Sequence, residues 1–244
     1  MKIIVARNYE DMSEKAAEIV VQQIISKPDS VLGLATGSTP LGMYEKIINI
    51  FRLRKLSFSK VTCFNLDEYI GLSQTSKNSY YHYMFENFFK HVDIKKENIN
   101  IPNGNADDID EECRRYEDRT ASLGGIDLQV LGIGRNGHIG FNEPNLYFEA
   151  VTHRVKLDED TISANSRLFP SIDDVPRYAI SMGVRTIMKA KKILLLASGV
   201  EKAEAVYRAV KGRITPGVPA SILQIHQDVL ILIDEAANQI LKVN

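Results

Sequence analysis

The chain has 244 residues, 44% of them apolar and 25% charged, the mix of a globular protein, which excludes a disordered, collagen-like or coiled-coil chain. Lys and Arg number 30 against 31 Asp and Glu, a net charge of −1 without basic clusters, so nucleic acid is not an expected partner. Two cysteines, Cys63 and Cys113, are too few for a disulfide framework and read as buried thiols in a reducing compartment.

The first residues include Arg7, Glu10, Asp11, Glu14 and Lys15, which leaves no apolar core for a secretion signal. The longest apolar runs, Ile193–Ala197 and Val229–Ile233, fall far short of the ~20 residues of a spanning helix. The expectation is a soluble cytoplasmic protein with no membrane partner.

In chain order, short apolar runs alternate with helical patterns. Lys2–Ala6 reads as a strand and Tyr9–Ile25 as an amphipathic helix. Val31–Ala35 is continuously apolar, as in a strand buried on both faces, and Met43–Phe51 is helical. Val61–Leu66 is a third strand, Ser79–Phe89 an aromatic-rich helix, and Ile109–Leu123 a charged helix stopped by Gly124 and Gly125. Leu128–Ile133, Ile193–Ala197 and Val229–Ile233 read as further strands, with a helix over Glu201–Val210, and Val151–Leu157 as one more strand. Asp158–Pro176 is polar, carries Pro170 and Pro176, lacks a period, and reads as a lid or binding loop. Strand–helix alternation without linker or repeat predicts one α/β domain over 1–244, a mostly parallel sheet with helices on both faces.

Ligands of such sheets bind at the carboxyl ends of strands, so the residues after each strand matter most. Thr36-Gly37-Ser38-Thr39-Pro40 follows the second strand and opens a helix, where free N–H groups and the helix dipole favour an anion. An ordinary helix cap gives the same pattern, and no Gly-Lys-Ser/Thr completes a nucleotide loop. After the third strand come Asp67 and Glu68; alternation turns them apart, so at most one serves in acid–base work. After Leu128–Ile133 comes Gly134-Arg135-Asn136-Gly137-His138-Ile139-Gly140-Phe141-Asn142-Glu143-Pro144. Gly132, Gly134 and Gly137 match a dinucleotide spacing, but no helix follows, so that reading is set aside. His138 can exchange protons near neutral pH, and Glu143 can orient it. His82 and His91 read as packing or surface residues, His153 and His226 stand alone, and no spacing suits a metal. Lys202, in the first turn of a helix against its dipole, and Arg167, in the polar segment, are cations suited to an anionic ligand. Together these point to sugar-phosphate chemistry.

The stretches LATGSTP (34–40), FNLDEYIG (64–71), NSYY (78–81), LGIGRNGHIGFNEP (131–144), ANSRLF (164–169) and ASGVEKAEA (197–205) resemble the glucosamine-6-phosphate deaminase family, also called glucosamine-6-phosphate isomerase. The resemblance implies a Rossmann-like fold, no required metal or organic cofactor, and conversion of α-D-glucosamine 6-phosphate and water to fructose 6-phosphate and ammonia. By matching motif positions it implies that His138 opens the pyranose ring, flanked by Glu143 and Asn136. It implies that Asp67 moves the proton from C2 to C1, and that Gly37, Ser38, Thr39, Arg167 and Lys202 hold the phosphate. Many relatives have Asp at position 136, so here Glu143 alone supplies charge to His138. The competing readings are a 6-phosphogluconolactonase, disfavoured by the residues after His138, and a sugar-phosphate sensor feeding a DNA-binding module, for which the strand starting at Lys2 leaves no room. The family includes monomers and hexamers, so a homo-oligomer is compatible with the chain. Some members are activated by N-acetylglucosamine 6-phosphate near the stretch that reads Asn145–Ala150 here; Leu146 and Glu149 argue against that site, although Arg154 and Lys156 lie close by.

Overall fold

Apolar residues alternate between two faces in the central strands, and that alternation builds the molecule. In the computed structural model, which describes residues 1–53, 56–166 and 169–242, Leu194 and Leu196 pack into one buried cluster, Ile193, Leu195 and Ala197 into another. Leu230 and Leu232 join the first, Val229, Ile231 and Ile233 the second. A strand covered on both faces needs no polar side, which is why these runs are continuously apolar.

The strands are β1 (Lys2–Ala6), β2 (Val31–Leu34), β3 (Thr62–Asn65), β4 (Asp67–Tyr69), β5 (Ile99–Asn100), β6 (Leu128–Gly132), β7 (His153–Lys156), β8 (Tyr178–Ser181), β9 (Lys192–Ala197) and β10 (Val229–Asp234). The helices are α1 (Tyr9–Ser26), α2 (Leu41–Arg52), α3 (Tyr80–Asn87), α4 (Ile109–Ser122), α5 (Glu159–Asn165), α6 (Val184–Met188) and α7 (Ala203–Lys211). Seven strands form a parallel sheet in the order β1-β10-β9-β6-β2-β3-β5, and β4-β8-β7 form a separate antiparallel sheet. Helices α1, α2 and α3 contribute Met12, Tyr44 and Met84 to one face, while α4, α6 and α7 contribute Tyr116, Ile187 and Val206 to the other. A third cluster of Tyr69, Phe141, Leu157, Ile162, Val175 and Ala179 fills the space under the small sheet.

The larger elements fall where the sequence places them, and both cysteines are buried. Three differences bear on the site. Asp67–Tyr69, read in the sequence only as residues that follow the third strand, forms a strand of its own, paired with β8. The polar segment Asp158–Pro176 contains α5 and a 3-10 turn at Ile172–Asp174, so it is not a structureless loop. The predicted helix at Glu201 begins with a 3-10 turn, Val200–Lys202, before α7. Among the described residues no helix is long and apolar enough to cross a membrane.

Candidate active site

Strand order reverses between β2 and β6: the chain runs from β2 outward through β3 and β5, then crosses to β6, β9, β10. The crevice at the carboxyl ends of such neighbours is where open α/β sheets take ligands. A cavity of about 940 Å³ lies there, lined by Ala35–Thr39 after β2, Leu66 and Asp67 after β3, Gly132–Asn136 and His138 after β6, and Ser198, Gly199, Glu201 and Lys202 after β9. Helix α5 adds Thr161, Ser163 and Asn165. Of the residues singled out in the sequence, Gly37, Ser38, Thr39, Asp67, Asn136, His138 and Lys202 line this one cavity, and Glu143 lies behind His138. Arg167 lies outside the described residues.

The tract after β6 folds back on itself instead of opening a helix. Gly134 N–H donates to the His138 carbonyl at 2.9 Å, and Gly137 N–H to the Gly134 carbonyl at 3.0 Å. A Cβ on Gly134 would sit 2.4 Å from the imidazole, so only glycine allows the ring to lie over this backbone. That close approach, not a dinucleotide, explains Gly134, while Gly137 is required by its left-handed φ of 91°.

His138 Nδ1 stands 3.1 Å from Glu143 Oε2. Asn136 donates its amide to the same oxygen at 2.8 Å and accepts the His138 amide N–H at 3.1 Å. Thr161 of α5 donates to Glu143 Oε1 at 2.5 Å. Burial works to raise the Glu143 pKa, but the hydrogen bonds from His138, Thr161 and Asn136 and the His138 charge outweigh it and hold the carboxyl below its usual range. Thr161 is a member the sequence reading missed, because the segment carrying it shows no helical period.

Asp67 is buried, and no described residue hydrogen-bonds to its carboxylate. Burial first, and the neighbouring Glu68 charge second, push its pKa up to about 8. Glu68 points elsewhere: it accepts the amide N–H groups of Tyr69, Tyr80 and Tyr81 at 2.9, 2.9 and 2.8 Å. Burial lifts the Glu68 pKa and those three donors pull it back, leaving it at about 6. The two carboxylates part as strand alternation requires.

At the phosphate-like end, Gly37 adopts φ 94°, in the left-handed region that suits glycine, and Gly37 and Ser38 are exposed in the cavity mouth. Opposite, the turn carrying Lys202 is fixed by buried Asp234 at the end of β10. Asp234 accepts Ser198 Oγ at 2.5 Å, Gly199 N–H at 3.1 Å and Ala237 N–H at 2.8 Å. The sequence signal for Asp234 is a carboxylate ending an apolar strand. Of the other histidines, His226 is a satisfied core residue, with Nε2 2.8 Å from the Ala190 carbonyl.

A doubly wound α/β protein with a glycine-containing strand-to-helix loop, an imidazole–carboxylate pair and a buried carboxylate around one crevice is of the kind that binds and transforms small metabolites. The chain belongs to the family of glucosamine-6-phosphate isomerases and 6-phosphogluconolactonases, whose model matches residues 6–232. It is 59% identical over 242 residues to a glucosamine-6-phosphate deaminase of Clostridium botulinum (strain Langeland), spanning 99% of each chain. It is 58% identical over 241 residues to that of Clostridium acetobutylicum, covering 99% of this chain and 100% of the relative. Among solved structures, a monomeric glucosamine-6-phosphate deaminase superposes with a TM-score of 0.96 at 52% identity, covering 98% of this chain and 100% of its own. A 6-phosphogluconolactonase from Thermotoga maritima superposes with a TM-score of 0.74 at 20% identity over 96% of this chain and 99% of its own, which shows the fold alone.

Proposed function

We propose that this chain is a glucosamine-6-phosphate deaminase, converting α-D-glucosamine 6-phosphate and water to D-fructose 6-phosphate and ammonia. The observation that carries the reading is that one cavity places a buried carboxylate, Asp67, and the hydrogen-bonded His138–Glu143 pair on different elements around the same space. A C2 proton becomes acidic only once C1 is a carbonyl, so ring opening and enolisation are separate steps that call for separate groups.

In this mechanism His138 gives a proton to the ring oxygen and takes one from the C1 hydroxyl, held in orientation by Glu143 and Asn136. Ionised Asp67 then removes the C2 proton of the open-chain sugar. The resulting enolamine is protonated at C1 by the same carboxyl, the C2 iminium adds water, and ammonia leaves to give the ketone. Gly37, Ser38, Thr39 and Lys202 hold the phosphate, with Arg167 brought in by the segment that contains α5, which closes as a lid and excludes water. No metal or organic cofactor takes part. The whole chain, 1–244, acts as one domain in the cytoplasm on a small sugar phosphate, without nucleic acid or membrane, and the solved relative at 52% identity is described as monomeric.

The test is release of ammonia and coupled detection of fructose 6-phosphate on addition of glucosamine 6-phosphate. Hydrolysis of 6-phosphogluconolactone without ammonia release from the amino sugar would overturn the proposal in favour of a lactonase.

A further inference from the structure

A loop that binds an anion through its own amides must hold its peptide planes still, yet residues 35–39 belong to no helix or strand, and Gly37 and Ser38 are exposed. Three phenols from three helices meet this loop. Tyr44 of α2 donates to the Ala35 carbonyl at 2.6 Å, Tyr83 of α3 to the Gly37 carbonyl at 2.6 Å, and Tyr9 of α1 to the Ser38 carbonyl at 3.0 Å. The Tyr9 hydroxyl also accepts the Gly42 amide N–H at 2.8 Å, which ties the loop to the first turn of α2.

The C=O and the N–H of a trans peptide point in opposite directions. Holding the Gly37 carbonyl on Tyr83 therefore fixes the direction of the Ser38 N–H, and holding the Ser38 carbonyl on Tyr9 fixes that of the Thr39 N–H. Neither amide has an acceptor among the described residues. A tyrosine side chain has only two rotors, so each anchor costs little entropy. The anchors are themselves held: Tyr9 starts α1 behind the Asn8 cap, and α3 is fixed at its N-terminus by Ser79 and the Glu68 carboxylate.

We propose that Tyr9 and Tyr83 are positioning residues for the phosphate end of the substrate, turning the Gly37 and Ser38 carbonyls outward so that the Ser38 and Thr39 amides converge on a phosphate monoester. The inference rests on the reading of Ser38 and Thr39 as phosphate contacts. Tyr83 does not line the cavity, so it acts through the loop, whereas Tyr9 borders the cavity as well. The effect falls on binding of any phosphate group there and leaves proton transfer at C1 and C2 to other residues. Tyr44 anchors Ala35 in the same way, but it is fully buried, and its replacement would perturb the core.

The test compares wild type with Tyr83→Phe, Tyr9→Phe and the double variant, each of which removes one or two hydroxyls and keeps the ring. Affinity for inorganic phosphate is read from the rise in unfolding midpoint with phosphate concentration, which needs no turnover, and KM and kcat are measured with glucosamine 6-phosphate. Each hydroxyl lost is expected to weaken phosphate binding and raise KM by about three- to tenfold, with kcat changed by less than about twofold. If phosphate stabilises wild type and the Phe variants equally and KM is unchanged, the positioning role is wrong while the phosphate loop stands. If inorganic phosphate does not stabilise wild type at all, the phosphate reading of the loop fails and the positioning role falls with it. A kcat loss that matches or exceeds the KM rise also overturns it.

Discussion

The Glu68 carboxylate accepts the first amides of α3, Tyr80 and Tyr81, while the carboxylate of Asp67, one residue earlier, enters the cavity with no described hydrogen-bond partner. One side chain is spent on holding a helix and the other is left reactive. The helix that Glu68 holds carries Tyr83, so the same strand, β4, sets both the cavity carboxylate and one anchor of the loop at Gly37.

Replacing Asp67 with Asn keeps size and polarity and removes the base. Turnover is expected to fall by at least about 10²–10⁴, the usual loss for a general acid–base group, with substrate still bound and ring opening intact. Near-normal turnover in Asp67→Asn would show that another group moves the C2 proton.

The same substitution should stabilise the protein. An unfolded-state Asp ionises near ~3.9, whereas Asp67 in the fold holds its proton up to about 8. Between those values the unfolded state loses a proton that the folded state keeps, so stability declines as pH rises through that window, and above it the whole penalty is present. Asp67→Asn removes the penalty without orphaning a partner. Its unfolding midpoint at pH 8 should exceed that of wild type by at least about 2 °C, and the two should converge near pH 4. A lower midpoint for the variant at pH 8 would contradict the buried, partnerless carboxylate.

The acid limb of kcat/KM should follow the same group: activity rises with pH toward 8 as Asp67 ionises. Glu68→Gln removes the negative neighbour that helps raise the Asp67 pKa, so the limb should move to lower pH. A pH–rate profile on both proteins decides this, and an unmoved limb in Glu68→Gln would assign it to another group.

The sequence exposes the central sheet because a strand covered on both faces must be apolar throughout, as in Ile193–Ala197 and Val229–Ile233. It exposes the His138 tract because Gly134 is forced by the imidazole above it. Strands β4 and β8 escape notice because Asp67–Tyr69 and Tyr178–Ser181 are too short to show a period. Helix α5 escapes for a chemical reason. Its inward side carries Thr161, donating to Glu143, and Asn165, donating to the Tyr69 hydroxyl at 2.8 Å, so polar residues stand where an amphipathic helix would show apolar ones. A helix that faces a polar site hides its own pattern. The three phenols on the anion loop escape because each lies on a different helix, 9 to 46 residues from the carbonyl it holds.

Thr161→Val should test the link between α5 and the imidazole pair. The change keeps shape and removes the donor to Glu143 Oε1, freeing that carboxylate to turn from His138. Turnover is expected to drop about three- to tenfold, the effect of one lost hydrogen bond, with Thr161→Ser restoring it. If Val and Ser variants behave alike, the hydroxyl does not orient Glu143.

The cations at the phosphate end should discriminate between substrates. Lys202→Ala and Arg167→Ala are each expected to weaken binding of glucosamine 6-phosphate by about 1.5–3 kcal/mol, the value of a charge-assisted hydrogen bond, and to affect unphosphorylated glucosamine far less. Equal losses for the two sugars, measured as KM or as binding constants, would remove both residues from the phosphate site.

Activation by N-acetylglucosamine 6-phosphate needs a second phosphate site, and the stretch after Asn142-Glu143-Pro144 is poorly made for one. Leu146 is 94% exposed and carries no hydroxyl, and Glu149 brings negative charge to the same small cleft as Arg154 and Lys156. A carboxylate there opposes a phosphate dianion. The Arg154 guanidinium is already stacked over the Tyr178 ring, 4.3 Å from its centroid. An effector shifts an equilibrium only by its differential affinity for two states, and a site that does not bind it supplies none. The rate should therefore depend hyperbolically on glucosamine 6-phosphate, and the acetylated sugar should fail to activate, competing at most weakly at the cavity. Steady-state rates across substrate concentration, with and without the acetylated sugar, decide the matter. A sigmoidal curve that the acetylated sugar renders hyperbolic would mean that Arg154 and Lys156 bind its phosphate despite Glu149.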